Sequence, residues 1–344
     1  MQTLLKQPGT LLFSDGHLNQ VGWCPQPLLD CNLEAARFYR LRFLQRFRLK
    51  RWDYYAIFTP QRFFSATIAD LGYAGNIFVY VLDYATRDLH EEGLVVPLSR
   101  GVALARNSTE GESCFEDKQA KLLFSVVPEG RRIQVNWPTY HEGRGLTADI
   151  LLHQAPTHES MTIVIPIGRQ RFYYNRKINC LPASGAITYG GQLEELSPST
   201  CLGSLDWGRG VWEYQSYWNW ASASGFLPDG RSIGLNLGCG FGDLSAATEN
   251  CLVLEGKIHK LTQVTFDYHS GDYMHPWRFS DAEGRLRLDF IPFKERLATT
   301  NLGVIYSQVH QMFGRYSGAI TADDGELITL TDLIGFAEEH HARW

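Results

Sequence analysis

From Trp52 onward, apolar and polar positions alternate with a period of two, and aromatic and β-branched residues fill many of the apolar places. The pattern predicts strands over residues 54–59, 63–71, 77–83, 122–127, 132–136, 146–152, 161–167 and 171–174. It predicts further strands over 232–237, 251–254, 257–260, 264–268, 277–280, 286–292 and 317–321. Asp229-Gly230, Asp324-Gly325 and the segment 281–284 supply hairpin turns between them. Only residues 296–313 have a pattern that fits a longer amphipathic helix. Residues 1–36 read as an extended arm, with a turn at Asp15-Gly16 and with Pro25 and Pro27 blocking helix. Residues 34–51 fit two readings. Phe38, Leu41 and Leu44 suit a short helix, whereas Phe47 and Leu49 alternate with Arg46, Arg48 and Lys50 as in a strand. Many short strands joined by tight turns predict an all-β barrel or sandwich.

The densest stretch is 206–221, D-W-G-R-G-V-W-E-Y-Q-S-Y-W-N-W-A, with four of the nine tryptophans. Read as one strand, it puts Trp212, Tyr214, Ser216, Trp218 and Trp220 on one face and Glu213, Gln215, Tyr217 and Asn219 on the other. The aromatic face either lines a hydrophobic ligand cavity or fills a core or the contact between two halves. Gly208 and Gly210 mark a tight entry to this strand. Asp206 and Arg209, three apart across Gly208, either form a charged pair at a cavity mouth or fix a linker as an ion pair.

The chain also echoes itself. Residues 52–72 and 218–238 both run 21 residues from Trp to Gly, with a Pro-containing turn between, and S-G-A-I-T recurs at 184–188 and 317–321. Two tandem β domains follow, 1–200 and 201–344, with the boundary near 195–205. The first carries the arm and an insertion within 101–158. A length of 344 residues also favours two cores over one.

With 44% apolar and 20% charged residues the chain is globular, and a net charge of −5 asks for no nucleic-acid partner. The basic cluster around 46–50 is a solvated strand face or a phosphate- or nucleic-acid-binding ribbon, and no recognition motif accompanies it. No apolar run reaches the roughly 18 residues of a membrane span, so no stable membrane insertion is expected. The N-terminus shows no secretory signal, and seven scattered cysteines suit reduced thiols in the cytoplasm.

Other candidate groups are few. His275 and Trp277, in M-H-P-W-R-F-S, lie where a loop enters a strand, and a histidine there could titrate near neutral pH. Glu338, Glu339, His340 and His341 cluster in one run, but without further ligands at fixed spacing no metal site is expected. G-C-G-F-G at 238–242 leads to a strand and not a helix, so it predicts a rim loop and no dinucleotide site.

The stretch D-W-G-R-G…Y…W-N-W-A, the segment M-H-P-W-R-F-S-D-x-x-G-R-L-R-L-D-F-I-P and the run Y-S-G-A-I-T…D-G…G-F-A-E resemble a bacterial family of unknown function. That family is in turn distantly similar to the two-domain, lipocalin-like proteins that include carotenoid hydratase (hydroxyneurosporene synthase). The resemblance implies two lipocalin-like β domains with an apolar site in or between them. It further implies chemistry without metal or organic cofactor, with Asp206, Glu338 and His275 as acids and tryptophans stabilising positive charge. The expectation is a binder of a lipid- or isoprenoid-like small molecule, with Arg209, Trp212, Tyr214, Trp218, Trp220 and Trp277 at the ligand. A hydratase, isomerase or cyclase on such a substrate is the alternative, and a structural or partner-binding β protein is a third.

Overall fold

The computed structural model describes residues 2–301 and 303–344. It is nearly all-β, as the alternation predicts, and forms two large curled sheets, with a two-stranded sheet of Gly9–Thr10 and Leu29–Asp30 in the arm. The first runs through Leu89–Pro97, Ala74–Asp83, Arg62–Asp70, Leu49–Phe58, Leu202–Val211, Arg171–Tyr189, Leu146–His153, Gly130–Trp137 and Lys121–Val127. The second runs in the same sense through Lys257–Lys260, Cys251–Leu254, Ser232–Cys239, Gln215–Phe226, Leu327–Arg343, Tyr306–Thr321, Leu286–Asn301, Trp277–Asp281 and Val264–Asp267. In each half an early strand pairs antiparallel with the half's closing strand: Leu49–Phe58 with Leu202–Val211, and Gln215–Phe226 with Leu327–Arg343. The echoed Trp-to-Gly stretches fall on the corresponding hairpins, and each S-G-A-I-T ends the corresponding long strand.

Several local expectations change. The stretch 206–221 is two strands, because Leu202–Val211 stays in the first sheet and Gln215–Phe226 opens the second. The change of sheet therefore falls at residues 212–214, later than the expected 195–205. Residues 101–158 supply five strands, of which three have counterparts in the second sheet; the extra Val102–Ala103 and Glu112–Glu116 lie inside that segment, and further extra length lies in Met161–Gly168 and the arm. Residues 296–313 form the hairpin of Leu286–Asn301 with Tyr306–Thr321 and no helix, since cross-strand pairing satisfies the backbone that a helix would. Both readings of 34–51 hold in part. Leu33–Ala35 and Arg42–Phe47 are 3-10 turns and Leu49 begins a strand. The arm is packed: Leu11, Leu12 and Leu29 are buried in the first core, and Gly22–Cys24 pairs with Met161–Gly168.

Period two assigns each side chain to a layer. On Leu49–Phe58, Tyr55 and Ile57 point into the first sheet's core, while Tyr54, Ala56 and Phe58 point at the other half. On Gln215–Phe226, Ala221 and Ala223 enter the second core and Trp220 faces back. A third cluster therefore lies between the sheets, where Phe63 meets Phe313 edge-on at 4.9 Å and Tyr54 meets Trp220 at 5.8 Å. Asn179, beside a bulge in the Arg171–Tyr189 strand, adds a polar stitch by donating to Ser222 Oγ at 2.9 Å.

Candidate functional site

The layer between the sheets is not filled throughout. It opens into a cavity of about 440 Å³, within the range of small-molecule sites. The first half contributes Trp52, Tyr54, Phe78, Tyr80, Glu91, Tyr173, Lys177 and Asp206. Trp212 comes from the connection between the halves. The second half supplies Trp218, Trp220, Phe241, Glu249, Arg296, Gln311, Glu338 and His340. The aromatic rings form a continuous wall. Trp52 stacks on Trp212 at 5.2 Å and on Tyr173 at 6.0 Å, and Phe241 meets Tyr173 edge-on at 5.1 Å. Phe241 belongs to the loop that follows the strand Ser232–Cys239, where Gly240 and Gly242 take positive φ of 83° and 71° and so aim the ring inward as a rim.

Two polar groups interrupt this wall. Around Lys177, the ammonium lies 3.1 Å from Asp206, 3.4 Å from Glu249 and 3.9 Å above the Trp220 ring. Burial pulls the Lys177 ammonium down, but Asp206 and Glu249 outweigh that and hold it above its ordinary pKa. Around Glu338, Trp218 Nε1 donates to one carboxyl oxygen at 3.3 Å and Gln311 Nε2 to the other at 3.1 Å. Tyr80 donates to Gln311 Oε1 at 3.0 Å and in turn meets the Tyr54 hydroxyl at 2.8 Å, which extends the chain across the interface. Burial pushes the Glu338 carboxyl up to about 7, against the opposing pull of Arg296, the Trp218 hydrogen bond and Lys177. Beside it, burial drives His340 down to about 3, so its imidazole is neutral, held by Ser307 Oγ at 2.8 Å. Arg296 spans the halves through two bonds to Glu91, 2.9 and 2.6 Å long.

The expected site residues divide. Asp206, Glu338, Trp212, Trp218 and Trp220 all reach the cavity. Arg209 does not. It lies an odd number of residues from Asp206 on a continuous strand, so it points the other way, into the first half, where it is 1% exposed and 2.9 Å from Asp53. Neither glycine makes a turn there. Gly208 lets the Trp52 ring cross the strand, since a Cβ would stand 2.1 Å from that ring. Tyr214 is 43% exposed and donates to the Val304 carbonyl outside the wall. Trp277 is fully buried in the second core, stacked on Tyr268 at 4.0 Å. The His275 side chain is 66% exposed and 2.7 Å from Asp272, away from the cavity. Lys177, Glu249, Arg296 and Tyr80 were not expected. A signal for Lys177 exists in retrospect, because N-R-K interrupts an otherwise apolar strand. Among the described residues no three His, Cys, Asp or Glu side chains are grouped to hold a metal ion, and no helix is long and apolar enough to cross a membrane.

No curated protein matches the chain. Among solved structures it is similar to a protein provisionally assigned as an AttH from Nitrosomonas europaea, at 15% identity over 88% of this chain and 96% of that one, with a TM-score of 0.48. It is also similar to kievitone hydratase from Nectria haematococca, at 12% identity over 86% and 88%, with a TM-score of 0.45. The sequence profile of a family described as a domain of unknown function, DUF2804, matches residues 2–344. The chain belongs to that family.

Proposed function

We propose that the cavity between the halves binds an apolar, isoprenoid- or lipid-like alkene and that Glu338 protonates it. The observation that carries this reading is the Glu338 carboxyl, buried in an aromatic cavity with its pKa raised to about 7. A carboxylic acid tuned to the working pH can give up its proton and take one back. Proton transfer from Glu338 to one alkene carbon leaves a carbocation on its neighbour, and the Trp218 and Trp220 rings supply π faces to stabilise it. The cation then loses a different proton to the Glu338 carboxylate, which is isomerisation. Alternatively it gains water and releases a proton, which is hydration, or a second alkene of the same molecule captures it and the new cation loses a proton to the carboxylate, which is cyclisation. Electrons balance in each, so the step is acid catalysis without redox change. Asp206 and Glu249 add negative charge near the developing cation, with Lys177 between them.

The test pairs binding with isotope uptake. Protein purified gently is examined by native mass spectrometry, then incubated in D2O with farnesol, geranylgeraniol, a carotene and oleic acid. The expected result is retention of an apolar molecule and deuterium in the recovered ligand or product. Glu338→Gln should keep the ligand and lose the deuterium. Uptake by that variant at the wild-type rate overturns Glu338 as the acid. Retention without uptake in the wild type reduces the reading to a carrier.

A further inference from the structure

Residues 40–46 read R-L-R-F-L-Q-R, and every side chain but that of Gln45 stands in solvent. Leu41 is 56% and Phe43 68% exposed, large apolar side chains that a monomer ordinarily buries. The segment is held and not loose. The buried Gln45 side chain donates to the Ala36 carbonyl at 2.9 Å and accepts from the Tyr39 amide at 3.1 Å. In a chain of net charge −5, Arg40, Arg42 and Arg46 place three exposed positive charges within seven residues. No carboxylate of the described residues comes within 4.0 Å of the Arg40, Arg42, Arg46 or Arg48 guanidinium.

Its position relates it to the cavity. The cavity reaches solvent where Gly93, Leu297, Thr299 and Thr300 line it and are exposed. Leu71 lines the cavity from the first sheet, and the next residue, Gly72, lies so near the basic segment that a Cβ would stand 2.2 Å from the Arg46 carbonyl. Arg48 donates to the carbonyl of Trp212, another wall residue, at 3.1 Å. Leu98, 60% exposed, donates its backbone N–H to the Tyr73 carbonyl in the same turn. Leu297 at the mouth and Val304, in the turn after the same strand, are exposed as well.

We propose that this face docks on an anionic lipid bilayer, with Leu41, Phe43 and Leu44 entering the headgroup boundary and the arginines meeting lipid phosphates. The cavity mouth would then stand near the membrane, and a water-insoluble ligand could pass between bilayer and cavity. Charge complementarity selects the partner class, since unpaired arginines interleaved with exposed apolar side chains match an anionic interface. Duplex nucleic acid would satisfy the arginines but offer the leucines nothing to bury in. The docking is superficial, with no segment crossing the bilayer. It is independent of any reaction at Glu338, because binding is read with no substrate present.

The experiment is co-sedimentation of the full chain with vesicles of phosphatidylcholine alone and of phosphatidylcholine mixed with phosphatidylglycerol. Binding to the mixed vesicles, weakened by added salt, is expected, with little binding to the neutral ones. The double variant R40Q/R42Q should lower the partition coefficient roughly thirtyfold, at about one unit of surface electrostatic energy per arginine. Phe43→Ser, which leaves the charge alone, should lower it roughly tenfold. Circular dichroism checks that both variants fold, and the comparison of the two vesicle types decides the matter for the unmodified chain. Absence of binding to anionic vesicles at low salt overturns the proposal. So does equal binding by wild type and both folded variants, or preferential binding to duplex DNA over the mixed vesicles.

Discussion

Asp206 and Glu338 occupy the same place in the two halves. Asp206 pairs with Tyr54, two residues after Trp52, and Glu338 pairs with Trp220, two residues after Trp218. On the neighbouring strand Asp206 pairs with Lys177 and Glu338 with Gln311. One carboxylate thus faces an ammonium and its counterpart faces an amide. An amide can hydrogen-bond a carboxyl but cannot neutralise it, so burial raises the Glu338 pKa. A repeated architecture has given two like positions unlike electrostatics.

The first prediction concerns pH and stability. The folded pKa of Glu338, about 7, lies above the ordinary value of 4.5, so the native state holds a proton that the unfolded state has released in that window. Stability should therefore fall as pH rises from about 4.5 to 7, the total from this group reaching roughly 3 kcal/mol. Glu338→Gln should remove that slope and be the more stable protein at pH 8. Urea titrations at several pH values measure this, and an unchanged slope in the variant would mean that the carboxyl titrates normally.

Lys177→Met should destabilise by about 3–5 kcal/mol, because it leaves the buried Asp206 and the half-buried Glu249 without their counter-charge. Adding Asp206→Asn should recover part of the loss. A double-mutant cycle by denaturant unfolding reads the coupling, and a near-zero value would contradict the buried pairing.

Gly208→Ala tests the close crossing of Trp52. The Cβ would meet the indole at 2.1 Å, so the ring must move and the cavity wall with it. Overpacking of this kind costs about 1–3 kcal/mol. Near-ultraviolet circular dichroism should change together with the unfolding midpoint. An unaltered spectrum at full stability would show that the wall yields freely.

Arg209 and His275 should behave oppositely. Arg209→Met strands the buried Asp53 carboxylate and should cost about 3–5 kcal/mol, a structural loss. His275→Ala, at an exposed position, should alter stability by less than about 0.5 kcal/mol and leave ligand retention intact. Thermal unfolding and native mass spectrometry of both variants decide the point.

The period-two signal carried the all-β class and the tandem repeat, since alternation and turn chemistry are local. It also named Trp218 and Trp220, because large rings stand out, whereas Asp206 was named as half of a pair with Arg209 and Glu338 through the family resemblance. Arg209 was misjudged when Gly208 was read as a turn: a turn would bring positions 206 and 209 together, whereas the strand sends them to opposite faces. Lys177 showed locally only as a polar break in its strand, and its role and that of Arg296 were not legible, because they depend on how two sheets some hundred residues apart meet. The strong aromatic content of M-H-P-W-R-F-S misdirected attention to Trp277, whose ring serves only the second core.

The pairing of each half's early strand with its closing strand has a consequence for how the protein is made. Leu49–Phe58 must wait about 150 residues for Leu202–Val211, which at ribosomal speeds is on the order of ten seconds or more. During that time one edge of the growing sheet, rich in Tyr and Phe, is open to wrong partners. Gln215–Phe226 waits about a hundred residues for Leu327–Arg343, the strand that carries Glu338 and His340. The cavity therefore comes into being only when the second sheet closes. Until Leu327–Arg343 is made, that edge stays unpaired and the cavity lacks the Glu338 carboxyl.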